Sequence, residues 1–172
     1  MKTLLACGAI GVFAGPALAA PHAPASEPER ALNAALRIAD KDESEFDNLS
    51  LAPRKPTFRP TVDYRRMLTA PLLATFVAEQ RRVLKADCGG TYLEGELCGM
   101  DYDPVTCAQD SPDHYLFETV RADATSAVVK MSWPHENQIT TYRLVRRQGR
   151  WLIDGIHCAD ANAGFNMPRG TK

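Results

Sequence analysis

"YLFETVRADATSAVVKMSW" (115–133) and, four residues later, "QITTYRLVRRQGRWLIDGIHC" (138–158) decide the fold. Apolar and polar residues alternate through 115–122, 126–133, 138–147 and 150–158, the period-2 pattern of half-buried strands. The connections "DAT", "PHEN" and "QG" are of hairpin length, so the four strands form an antiparallel meander. Strict alternation in the last strand puts Leu152, Asp154, Ile156 and Cys158 on one face. Trp151, Ile153, Gly155 and His157 then share the other, and Trp133 and Trp151 are expected to fill the core.

Upstream the period changes to 3.6. Ser26 and Glu29 form a capping-box pair, with Pro28 in the first turn. Ala31, Leu32, Ala35, Leu36 and Ala39 then recur at helical spacing, predicting a helix from about Pro28 to Glu45. Pro53, Pro56 and Pro60 make the next stretch an extended linker. Thr61 can cap a short helix over "VDYRRML", and Thr69 another whose stripe is Leu73, Phe76, Val77, Gln80 and Leu84. That helix should stop near Asp87, before Gly89-Gly90. Helices first and a meander after them give an α+β class, with helices packed on one face of a curved, cone-like antiparallel sheet of about four strands.

The first residues carry an export pattern. Lys2 precedes an uncharged apolar run from Leu4 to Leu18, and Ala17-Leu18-Ala19 is a small-x-small triplet, so residues 1–19 read as a signal peptide cleaved near Ala19. "LLAC" ending at Cys7 resembles a lipobox, but the apolar run continues past it, which suits an ordinary signal peptide rather than a lipoprotein. Loss of Lys2 takes the formal net charge from −1 to −2, and this disfavours a nucleic-acid partner, which wants a basic field. No later apolar run is long enough to span a bilayer. Residues 20–28, "APHAPASEP", read as a disordered leader, 29–160 as one domain, and 161–172 as a loose tail. The arginines at 81–82 and at 143, 146, 147 and 150 read as solvated faces.

Between helices and strands lies "CGGTYLEGELCGMDYDPVTC" (88–107). With the signal peptide removed, Cys88, Cys98, Cys107 and Cys158 remain, an even number for an oxidising compartment, and two disulfides follow. Their spacing leaves all three pairings open. Zinc wants ligands two to four residues apart, whereas nine and eight residues separate these. His157 beside Cys158 is no dyad, because strand neighbours point to opposite faces. "DYDPVTCAQD" (101–110) opens like a calcium loop, but Val105 and Thr106 stand where an acid and a glycine are required. No metal and no cofactor is therefore expected. Asp101, Asp103, Asp110 and His114 mark a ligand or partner surface, and Asp110 with His114 are the acid–base candidates if they line a cavity. Asp and Pro are also ordinary turn formers. There is no nucleophile elbow, phosphate-cradling glycine loop or HExxH.

"ITTYRLVRRQGRWLIDGIHC" resembles the closing hairpin of the nuclear transport factor 2-like superfamily. With "DYDPVTCAQD" and "YLFETVRADATSAVVKMSW" it resembles an uncharacterised family of exported bacterial proteins there, over roughly residues 60–158. The resemblance implies a cone of helices wrapped by a curved sheet, with a pocket at its open end. It also implies either a binding module or an enzyme of isomerase, dehydratase or epoxide-hydrolase type. Such enzymes use an Asp–His or acid pair facing into the cone; Asp154 and His157 are the strand residues of that kind here. Three functions follow as expectations: an exported non-catalytic binding module of the bacterial periplasm, an immunity or inhibitor protein presenting residues 88–114 to a toxin or hydrolase, and a small-molecule enzyme.

Overall fold

A computed structural model describes residues 20–41, 63–93, 96, 98–100, 102–135 and 139–158. Helix α1 spans Glu27–Ala39. Its capping box is formed as expected: Ser26 Oγ accepts the Glu29 N–H while the Glu29 carboxylate accepts the Ser26 N–H. Leu32, Ala35, Leu36 and Ala39 are buried, and each fully buried leucine contributes roughly 1.5–3 kcal/mol. The helix stops at Ala39 rather than at Glu45. Asp40 leaves it to accept hydrogen bonds from the Tyr115 and Ser111 hydroxyls.

Asp63, not Thr61, caps the next turn, a 3-10 helix at Tyr64–Arg66; Thr61 lies outside the described residues. Helix α2 spans Ala70–Cys88 and buries Leu72, Phe76, Gln80 and Leu84. Thr69 holds the cap position but makes no capping bond; its hydroxyl donates instead to Asp154 Oδ1 at 3.0 Å. Gly89, at φ 63, ends the helix in the left-handed conformation that glycine adopts without strain.

Strands β1 (Leu116–Ala122), β2 (Ser126–Ser132), β3 (Ile139–Arg147) and β4 (Arg150–His157) form one open antiparallel sheet in sequence order. Gln148 and Gly149 both take positive φ between β3 and β4, as a two-residue hairpin turn requires. The inner face carries Phe117, Ala127, Val129, Met131, Tyr142, Leu144, Ile153 and Ile156, all buried in one core with α1 and α2. Trp133 and Trp151 are half-buried at its margin rather than within it.

Two register shifts re-aim side chains, one between Thr119 and Arg121 and one opposite Arg143/Leu144. The second corrects the alternation expected for the last strand. Arg143 pairs with Gly155 and Leu144 with Ile153, so Asp154 is an inserted residue. Ile153 therefore joins Ile156 and Cys158 on the buried side, while Asp154 and His157 both turn outward.

Short straps cover both sheet edges. His22 exchanges two backbone hydrogen bonds with Phe117, at 2.9 and 2.7 Å, and Leu68 bridges Ile153 in parallel. The leader expected to be disordered over 20–28 is thus corrected: it pairs with β1 and runs into α1, with Pro28 buried in its first turn. Capped and bulged edges resist pairing with other chains. Residues 1–19, the signal peptide, and 161–172, the tail, lie outside the described residues.

Candidate functional site

The crossover from α2 to β1 is fastened by two disulfides, Cys88–Cys98 and Cys107–Cys158. The first closes a loop on the end of α2. The second ties the crossover to the residue after β4. Between them, Gln80 reaches out of the α2 stripe: its Oε1 accepts the Met100 N–H at 2.7 Å and its amide donates to the Tyr92 hydroxyl. Gly99 permits this approach, since a Cβ there would lie 2.5 Å from Gln80 Nε2.

Asp103 folds the next turn. Its Oδ1 accepts the backbone N–H groups of Val105 (2.7 Å) and Thr106 (2.8 Å), and its carbonyl accepts the Cys107 N–H. Burial pushes the Asp103 carboxyl up, the two backbone hydrogen bonds oppose the shift, and the Asp40 charge adds to it. The turn sends Val105 into the core, where its carbonyl accepts the Tyr142 hydroxyl at 2.8 Å. Burial raises the Tyr142 phenol well above its ordinary value, so it stays a donor.

Asp40 anchors the far end. Besides Tyr115 and Ser111 it holds Arg37 Nη1 at 3.3 Å, and Arg37 also donates to the carbonyls of Pro112 and Asp113. The same guanidinium lies over the Tyr115 ring, 5.1 Å from its centre.

These contacts separate the residues that the sequence grouped. Asp103 serves its own turn as an acceptor, its carboxylate taking two backbone N–H groups and its carbonyl a third. Asp110 and His114 are exposed, and among the described residues no hydrogen bond or ion pair joins them. Asp101 lies outside the described residues. Among those described, no three His, Cys, Asp or Glu side chains group to hold a metal ion.

Asp154 and His157 do not face the core either. Asp154 lies against Arg143, whose Nη2 is 2.9 Å from Oδ2 and 2.7 Å from the Asp154 carbonyl. Gly155 makes room for that guanidinium, since a Cβ there would meet Arg143 Nη2 at 3.1 Å.

Sequence reasoning found Glu29 as a cap but missed its hold on Thr119, and missed Asp40 and Gln80 as organisers. Glu29 is 1% exposed and accepts from Ala25 N, Ser26 N and Thr119 Oγ1, with His22 Nε2 at 3.8 Å. Burial pushes its carboxyl up, but the hydrogen bonds from Ser26, Thr119 and Ala25 together outweigh it and hold it below the ordinary glutamate value. A polar residue inside an apolar stripe was the available sign for Gln80; Asp40 had none.

The chain matches no protein-family model, no curated protein and no solved structure. No described helix is long and apolar enough to cross a membrane.

Proposed function

We propose that the chain is exported to the bacterial periplasm and acts there as a non-catalytic binding module of the nuclear transport factor 2-like type. The observation that carries this reading is the filled inner face of the sheet. Phe76, Phe117, Met131, Tyr142 and Ile153 are all at most 1% exposed where an enzyme of that superfamily would keep its reacting groups. Two formed disulfides suit an oxidising compartment. The element order, helices before a meander that ends in "WLIDGI", favours the superfamily assignment.

The inhibitor reading draws support from one feature, a crossover pinned at Gln80, Asp103 and Asp40 and by both disulfides. Rigidity of that kind lowers the ordering cost of binding. Melting the oxidised mature protein with fractionated envelope extracts separates the readings. A binding module melts higher with a fraction and turns nothing over. Turnover of a small molecule that is lost in Asp110→Asn or His114→Gln contradicts it in favour of an enzyme.

A further inference from the structure

The outer face of the sheet carries an organised patch near the hairpin tips. Registered cross-strand pairs set Arg121 beside Val128 and Val128 beside Arg143. The next outward row is Ser126, Val145 and Leu152, and the last is Arg147 directly opposite Arg150. Val128, Val145 and Leu152 are half-buried, and four arginines frame them in an area of roughly 14 by 14 Å. α1 and α2 pack on the other side, within the core.

Three of these arginines stand without a counter-charge. Arg121, Arg147 and Arg150 are exposed and form no ion pair among the described residues. Like charges directly opposite on a hairpin are unfavourable. The fourth, Arg143, shows what the face accepts: its guanidinium holds the Asp154 carboxylate with Nε at 3.0 Å and Nη2 at 2.9 Å. Lys130, the face's lysine, sits one row away and is paired with Glu118. An apolar centre with a polar rim rich in arginine and poor in lysine is the make-up of a protein interface.

We propose that this outer face is the docking surface for an acidic protein segment, whose carboxylates meet Arg121, Arg147 and Arg150 while aliphatic side chains between them cover Val128, Val145 and Leu152. The arginine fork matches a carboxylate through two parallel hydrogen bonds. The apolar centre requires side chains that a phosphate headgroup does not carry. The inference rests on the binding-module reading and gives it a surface and a partner class.

Fluorescence anisotropy with a labelled synthetic peptide of glutamates interrupted by leucines tests it on the oxidised mature protein. Arg147→Lys/Arg150→Lys keeps the charge and removes the fork. Arg121→Ser/Arg147→Ser/Arg150→Ser removes both, at exposed positions where the fold is not at stake. The expected result is saturable binding, weakened roughly tenfold by the lysine pair and abolished by the serine triple. Equal binding by the lysine variant, tighter binding to phosphatidylglycerol vesicles than to the peptide, or salt-sensitive self-association that competes with the peptide overturns it. If the peptide fails to bind while envelope extract still raises the melting temperature of the serine variant, this surface is wrong and the binding-module reading stands.

Discussion

Gln80 Oε1 accepts the Met100 backbone N–H at 2.7 Å, so a buried side chain in the middle of α2 positions a crossover twenty residues further along. Leucine at this position would suit the apolar stripe and leave Met100 N–H without its acceptor. Gln80→Leu should therefore destabilise by about 1–3 kcal/mol. Gly99→Ala should cost about as much, because φ is +88 there and the new Cβ would press on Gln80. Urea unfolding of each variant checks both; a change within error for Gln80→Leu would mean that the contact fixes nothing.

The disulfides should differ in weight. The chain-entropy model gives about 3 kcal/mol for a loop as short as Cys88–Cys98 and about 4 kcal/mol for one as long as Cys107–Cys158. Paired serine substitutions should show that order in chemical denaturation. Peptide mapping without reductant should recover these two linkages and no free thiol at Cys88, Cys98, Cys107 or Cys158.

Much of the frame was legible beforehand. Four period-2 stretches gave the meander, Ser26 with Glu29 marked the start of α1, and the stripe around Phe76 marked α2. The failures have physical causes. One inserted residue at Asp154 broke the alternation of β4 and brought Ile153 to the face of Ile156 and Cys158, and Gly155 marked it only weakly. Pro21 and Pro24 made the leader look unstructured, yet one residue between them, His22, suffices to pair with β1. Asp103 could be read two ways, because spacing cannot distinguish a carboxylate that binds a ligand from one that accepts its own turn's N–H groups, as this one does.

Asp103 provides a test with a definite sign. Its folded pKa is raised, so ionisation costs the folded state stability as pH rises from the ordinary aspartate range through the folded value. Asn keeps the acceptor for Val105 and Thr106 without the charge. Asp103→Asn should match wild type in acid and become the more stable protein above that window. Asp103→Ala should lose about 1–3 kcal/mol throughout by leaving both N–H groups unpaired. Thermal melts across pH distinguish the three proteins.

Glu29 should behave in the opposite sense. Its folded pKa is lowered, so its stabilisation is complete above the unfolded value and is lost as pH falls through the folded one. Glu29→Gln should lower stability at neutral pH by about 1–2 kcal/mol and flatten the acid limb of the stability profile. Hydrogen exchange should report the loss first at Phe117 and His22, the strap held beside this carboxylate.

The central claim is that the filled inner face leaves function to the outer surface. Hydroxyl-radical footprinting of the oxidised protein in envelope extract, compared with the purified protein, tests it most directly. The expected result is protection of Val128, Val145 and Leu152, with Tyr142 and Ile153 unreactive in both samples. Protection confined to residues 102–114, or reactivity at Tyr142 and Ile153 that the extract suppresses, would contradict it.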